Sequence, residues 1–97
     1  MISVKEIKDI VSITAEKYGA ERVLLFGSYA RGEAIHESDI DLRLDKGRIR
    51  GLLQLSGFHI ALEDCLNLPV DVLTTESLDK DFLSRIQGEE ILLYEHK

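Results

Sequence analysis

Hydrophobic and polar positions recur along the chain with two different periods, and these periods predict its secondary structure. Ser3 and Glu6 form the S-x-x-E pattern of a helix start. Hydrophobic residues then recur every three to four positions up to Gly19, a typical helix stop. They are Val4, Ile7, Ile10, Val11, Ala15 and Tyr18. The pattern predicts a first helix that buries one face.

Short hydrophobic runs predict β-strands in the remainder of the chain. Three runs cover residues 23–26, 39–44 and 70–74, and residues 91–94 predict a fourth strand at the end. Residues 27–38, which join the first two runs, are predicted to form a short turn or helix followed by an irregular loop.

Helical periodicity returns over residues 48–66, and a last helix is predicted over residues 79–87. The buried stripe of the longer helix is expected to comprise Leu52, Leu55, Phe58, Leu62 and Leu66. Cys65 lies within this helix and is expected to be packed. Helices and strands in this order predict an α/β (α+β) protein, with a small mixed sheet covered by helices mainly on one face.

Size and composition restrict the possible functions. A chain of 97 residues is expected to form a single domain over residues 1–97. It has no apolar run near the ~20 residues that span a bilayer and no signal-peptide pattern, so a cytoplasmic location is expected. A net charge of −6 gives no reason to expect direct nucleic-acid binding. A single cysteine excludes an intrachain disulfide, and the histidines show no ligand spacing.

Two carboxylates stand one residue apart in the second predicted strand. Because side chains alternate between the faces of a strand, Asp39 and Asp41 would share one face, while Ile40 points to the other. Their Cα atoms would be about 6.8 Å apart, so both side chains can converge on one cation. Asp71, in the third strand, can share this face. The sequence therefore predicts a divalent-metal site built from acidic side chains.

A Gly27-Ser28 turn follows the first predicted strand. Backbone N–H groups in such a turn suit a phosphate, a role compatible with Ser28 serving as a helix cap. A metal site facing a phosphate-binding turn predicts phosphoryl or nucleotidyl transfer. The chain has no G-x-x-x-x-G-K-[ST] motif, so a P-loop kinase is not supported.

The combined pattern resembles a known family. Gly27-Ser28, ten residues, and then Asp39-Ile40-Asp41, within GSYARG and SDIDL, is similar to the signature of the DNA polymerase β-like nucleotidyltransferase superfamily. The short length and Val70-Asp71-Val72 resemble its minimal nucleotidyltransferase (MNT) branch. The resemblance implies that Asp39, Asp41 and Asp71 hold two Mg²⁺ ions, with Asp71 also helping to deprotonate the attacking hydroxyl. It further implies that Gly27 and Ser28 bind the nucleotide phosphates.

The resemblance also implies a substrate and a partner. Members of the MNT branch pair with HEPN-type ribonuclease toxins and, as antitoxins, transfer AMP from ATP to a toxin tyrosine. Two alternatives remain open at this point. The chain could neutralise its partner by contact without chemistry, or it could transfer a nucleotide to an RNA end or a small hydroxylated molecule.

Two arginines near the motif have open roles. Arg43 stands where the family commonly has an apolar residue, on the predicted carboxylate face. It could contact phosphates or the acceptor, or it could pair with Asp71 or Asp45. Arg31 could contact a phosphate or be structurally paired. The local basic cluster of Arg43, Lys46, Arg48 and Arg50 is expected to form a solvated face, with a partner or triphosphate contact as the alternative.

Overall fold

The computed structural model describes residues 1–97 and contains four α-helices, four β-strands and one short 3-10 helix. In chain order these are α1 (Val4–Tyr18), β1 (Arg22–Phe26), α2 (Ser28–Arg31), β2 (Ile40–Asp45), α3 (Gly51–Leu66), β3 (Val70–Thr74), the 3-10 helix (Thr75–Ser77), α4 (Lys80–Ile86) and β4 (Ile91–Glu95). The predicted fold class is confirmed. None of the helices is both long and apolar enough to cross a bilayer.

The four strands form one mixed sheet with the order β3-β2-β1-β4. β1 pairs antiparallel with both β2 and β4, whereas β2 and β3 run parallel. A parallel pair needs a long crossover connection, and α3 supplies it. This arrangement places β2, which carries Asp41, between β1 and β3.

The core lies between the sheet and the two long helices, α1 and α3. α1 begins with the predicted capping box, in which the Ser3 side chain accepts from the Glu6 N–H and the Glu6 side chain accepts from the Ser3 N–H. Full burial of an aliphatic core side chain contributes about 1.5–3 kcal/mol. The helices and central strands bury Ile7, Val11, Ala15, Val23, Leu25, Ile40, Leu42, Leu44, Phe58, Leu62 and Leu66.

The opposite face of the sheet carries the shorter helix α4. Phe26 alternates with the core residue Leu25 and therefore points away from α1 and α3. Its ring packs edge-on against Phe82 of α4, with 5.8 Å between the ring centroids. α4 and the turn that follows it are thus held over the face on which Asp41, the register partner of Phe26, lies.

Helix α3 differs from its prediction at its start. The helix begins at Gly51, not near residue 48, because Arg48 N–H donates to the Gly19 carbonyl at 2.8 Å and Arg50 is extended. Leu52 is 81% exposed, so its predicted place in the buried stripe is wrong. At about 100° per residue, Leu52 lies about 120° around the helix from Phe58.

Cys65 is exposed, and the expectation that it would be packed is wrong. The buried residues of α3 recur every four positions, at Phe58, Leu62 and Leu66. A four-residue spacing advances about 40° around the helix at each step, so the buried stripe rotates away from residue 65 before the helix ends.

Candidate active site

Asp41 and Asp71 lie side by side on neighbouring parallel strands. They are paired positions in the register of β2 and β3. Paired residues on adjacent strands point to the same face, with Cα atoms about 4.8 Å apart. Ile40 and Leu42, which flank Asp41 in β2, are buried on the core side. The two carboxylates therefore share the face opposite α1 and α3.

Asp39 precedes β2, because the strand starts at Ile40. The predicted strand start at residue 39 is wrong by one residue. Ile40 N–H donates to the Pro69 carbonyl at 3.1 Å, which joins the segments entering β2 and β3. Asp39 is exposed, and its negative charge raises the pKa of Asp41. Asp39 thus belongs to the same acidic group.

The carboxyl group of Asp41 is strongly perturbed. Its pKa is raised from 3.8 to about 6, mainly by burial and also by the charge of Asp71, a hydrogen bond to Asp71 and the charge of Asp39. The Arg31 guanidinium opposes the shift. Crowded like charges are unfavourable in the free protein, and a bound cation relieves them.

Gly27 forms the turn between β1 and α2 and lies against Asp41. Its φ of 79° and ψ of −157° belong to a backbone region that is essentially restricted to glycine. A Cβ atom at this position would lie 2.2 Å from Asp41 Oδ2. Ser28, the first residue of α2, is half-buried beside it. The predicted phosphate-binding turn therefore borders the acidic group directly.

A carboxylate occupies this turn. Gly27 N–H donates to Glu89 Oε2 at 2.6 Å, and Arg31 Nη1 lies 3.2 and 3.3 Å from the two Glu89 carboxylate oxygens. Arg31 also donates to Glu33 at 2.9 Å, and hydrogen bonds to Glu33 and Glu89 raise the pKa of Arg31. Arg31 is therefore structurally paired in the free protein. Sequence reasoning missed Glu89, for which the only signal was a pair of acids before the last strand.

Arg43 is held mainly by Glu90. Its Nε and Nη2 donate to the two Glu90 carboxylate oxygens at 2.6 and 2.9 Å, and Nη1 donates to Thr75 Oγ1 at 2.9 Å. Asp45, one of the partners expected from the sequence, lies 3.9 Å away, and Asp71 is not a partner. Of the pairings that the sequence left open, the one with Asp71 is not formed, and Arg43 is structurally paired with Glu90 and Asp45.

The other members of the predicted basic cluster do not share the ion-pair partner of Arg43. Lys46 pairs with Glu76, whereas Arg48 and Arg50 are exposed. The histidines, for which no ligand spacing was found, are exposed or half-buried: His36, His59 and His96. Neither set adds a ligand to the acidic group.

The donor set suits magnesium chemically, because carboxylate oxygens are the protein ligands that Mg²⁺ prefers. In the free protein, no three His, Cys, Asp or Glu side chains form a preassembled metal-ligand cluster. Asp39 and Asp71 are both exposed, so their side chains are free to turn toward a cation at Asp41. Burial raises the pKa of Asp41 most, and the charges of Asp71 and Asp39, which raise it further, also favour a cation there.

The carboxylate face of β2 also borders a cavity, although Asp39, Asp41 and Asp71 do not line it. An open cavity of about 420 Å³ lies between α4 and the carboxylate face of β2. Its walls are formed by Arg43, Lys80, Leu83, Ser84, Gln87 and Glu90. The carboxylate face of β2 therefore has space for part of a ligand next to Arg43.

Comparison with known proteins places this site in a family context. Residues 8–97 match the model of the family described as "Polymerase beta, Nucleotidyltransferase". A Methanocaldococcus jannaschii protein named "putative protein adenylyltransferase" is 37% identical over 93% of this chain and 97% of its own length. Protein adenylyltransferase MntA of Thermococcus cleftensis is 32% identical over 92% of this chain and 94% of its own length.

Solved structures share the fold. One described as a "putative minimal nucleotidyltransferase" superposes with a TM-score of 0.79 at 33% identity, covering 91% of this chain and 90% of that one. A second is a tri-AMPylated Shewanella oneidensis HEPN toxin in complex with its MNT antitoxin. It matches with a TM-score of 0.71 at 15% identity, covering 95% of this chain and 72% of that one.

Proposed function

The chain belongs to the polymerase beta nucleotidyltransferase family, and on this premise we propose that it transfers AMP from ATP to a tyrosine hydroxyl of a cognate HEPN-type toxin. The reaction would be magnesium-dependent, and the transferred AMP would silence the toxin. The chain would therefore act as the antitoxin of the pair.

One structural observation carries the proposal. Asp41 and Asp71 are register partners on parallel strands, and Asp41 touches the Gly27 turn. A cation held by the carboxylates and a phosphate held by the turn would thus be neighbours. This is the geometry that transfer of a nucleotide from its triphosphate requires.

We assign the following roles to the chain's own residues. Gly27 and Ser28 would hold the β- and γ-phosphates through backbone N–H and hydroxyl groups. Asp39, Asp41 and Asp71 would be the ligands of two Mg²⁺ ions. When bound, these ions would neutralise the triphosphate and stabilise the attacking and leaving oxygens.

In the transfer step, the acceptor hydroxyl oxygen bonds to the α-phosphorus of ATP, and the bond to pyrophosphate breaks. Asp71, the exposed member of the register pair, would accept the hydroxyl proton, because it can reach an acceptor that arrives from solvent. The products are an AMP ester of the acceptor and free pyrophosphate.

The names of related proteins support the acceptor and the nucleotide. Two relatives more than 30% identical to this chain carry the name protein adenylyltransferase. A structural neighbour of the same fold is an MNT antitoxin bound to an AMP-carrying HEPN toxin. We therefore favour a HEPN protein over an RNA end or a small molecule as the acceptor.

The test combines the purified chain with Mg²⁺, ATP and the product of the neighbouring reading frame, followed by intact-mass measurement of that protein. The proposal predicts a mass gain of one or more AMP units with the wild-type chain and none with Asp39→Asn. Asp64→Asn is the matched control, since Asp64 is exposed on α3, on the other side of the sheet. This variant should modify the partner as the wild type does.

Other outcomes distinguish the alternatives. Neutralisation of the toxin by a tight complex without added mass would replace the proposal with a non-catalytic binding antitoxin. Transfer of labelled AMP to RNA or to a small hydroxylated molecule, but not to protein, would retain the chemistry and overturn the acceptor.

A further inference from the structure

The Glu89 side chain occupies the position in which a nucleotide phosphate is expected. Its carboxylate accepts the Gly27 N–H at 2.6 Å and lies 3.2 Å from Arg31 Nη1. A backbone N–H and a guanidinium group converging on one anion are the donors that also recognise a phosphate oxygen. Only 21% of the Glu89 side chain is exposed, so it is seated in the turn.

A carboxylate and a phosphate cannot use these donors at the same time. Gly27 N–H is a single donor, and it is already engaged. The Asp41 carboxylate lies against the same turn, so an arriving phosphate would meet two negative groups within a small volume. A phosphate that takes the Gly27 N–H must therefore displace Glu89.

The neighbouring residue shows how Glu89 could leave without disruption of the fold. Glu90 is held by two hydrogen bonds from Arg43, and its side chain is only 7% exposed. The backbone N–H groups of Glu89 and Glu90 both donate to the Ile86 carbonyl, at 3.0 and 3.1 Å. The turn after α4 is thus anchored through Glu90, while the Glu89 side chain is held only by Gly27 and Arg31.

We propose that Glu89 is an internal anion that competes with the nucleotide for Gly27 N–H and Arg31, and that its side chain swings out when the triphosphate binds. The inference rests on the proposed function, because it takes the Gly27 turn as the phosphate site. Displacement of Glu89 also frees Arg31, which then becomes a phosphate ligand. Glu89 thereby lowers the affinity of the free chain for nucleotides.

The test is the dissociation constant of a non-transferable ATP analogue, the α,β-methylene compound, measured by calorimetry with Mg²⁺ at fixed ionic strength. Glu89→Ala removes a competitor that is held by charge-assisted hydrogen bonds. The dissociation constant of the analogue should therefore fall about 10-fold. Glu89→Gln, which keeps the shape and loses the charge, should bind with intermediate affinity. Inorganic triphosphate, measured without metal, should bind the wild type and the two Glu89 variants in the same order of affinity.

Glu33→Gln is the matched control. Glu33 pairs with Arg31 at 2.9 Å but does not touch Gly27, and its side chain is 66% exposed. The affinity of Glu33→Gln for the analogue should stay within about 2-fold of the wild-type affinity, because an exposed ion pair contributes little free energy. An equal gain for Glu33→Gln and Glu89→Ala would reduce the effect to general charge removal and overturn the inference.

The remaining outcomes separate the inference from the function on which it rests. If the wild type binds the analogue and both Glu89 variants bind it equally or more weakly, Glu89 supports the turn and the inference is wrong. A melting transition for each variant establishes that the variant is folded. If neither the wild type nor any variant binds the analogue, the proposed function fails, and the inference fails with it.

Discussion

The substitution Asp41→Asn should stabilise the metal-free protein. In the folded chain the pKa of Asp41 is raised to about 6, above its ordinary value of 3.8. A raised pKa in an acid means that its charged form is disfavoured in the folded state. The contribution of Asp41 to stability is therefore fully present below about pH 4 and is lost as the pH rises through 6. Asparagine keeps the shape of the side chain and removes the charge.

The magnitude follows from the pKa shift. A rise from 3.8 to about 6 corresponds to about 3 kcal/mol at ~1.36 kcal/mol per pKa unit. Asp41 is only half-buried, so solvent screening reduces the expected effect to about 1–1.5 kcal/mol. For a domain of this size, 1 kcal/mol shifts the melting temperature by about 4–8 °C.

The assay is thermal and urea unfolding, followed by circular dichroism, between pH 4 and 8 in EDTA. Asp41→Asn should be about 1 kcal/mol more stable than the wild type at pH 8, and the difference should approach zero near pH 4. Asp64→Asn serves as the control, because Asp64 is exposed on α3, and should stay within about 0.5 kcal/mol at every pH. An Asn variant less stable than the wild type at pH 8, or a pH-independent difference, would refute the reasoning.

Three further predictions follow from the same contacts. Millimolar Mg²⁺ should raise the melting temperature of the wild type, since it binds only the folded site, and should have little effect on Asp41→Asn. Gly27→Ala should cost about 1–3 kcal/mol in unfolding free energy and abolish AMP transfer, because the backbone region is glycine-restricted and the new methyl group would displace the Asp41 carboxylate. Arg43→Met should cost about 3 kcal/mol in urea unfolding by leaving buried Glu90 without its partner, whereas Arg22→Met, at an exposed ion pair, should cost under about 1 kcal/mol.

Local sequence patterns predicted the four strands, the three longer helices and the shared face of the carboxylates. Strand alternation depends only on neighbouring residues, so the side on which Asp41 lies could be derived from Ile40 and Leu42. The position of Asp71 beside Asp41 depends on the parallel register of β2 and β3, which only the structure shows. Helix α1 was predictable because its capping box lies within four residues.

Contacts between distant segments could not be predicted. Glu89 is 62 residues from Gly27 in sequence, and Glu90 is 47 residues from Arg43. Both pairings arise because β4 joins the sheet beside β1. This position of β4 places the α4–β4 turn over the carboxylate face. No local period encodes that placement, so the sequence did not predict these two contacts of the site.

The most direct test of the site is a crystal structure of the chain with Mn²⁺ in place of Mg²⁺ and the α,β-methylene ATP analogue. Anomalous scattering from manganese locates the metal without reference to the density of the nucleotide. We predict one anomalous peak bound by Asp39 and Asp41, a second shared with Asp71, and a phosphate oxygen at Gly27 N–H. Metal or triphosphate bound away from these residues would contradict the assignment of the active site.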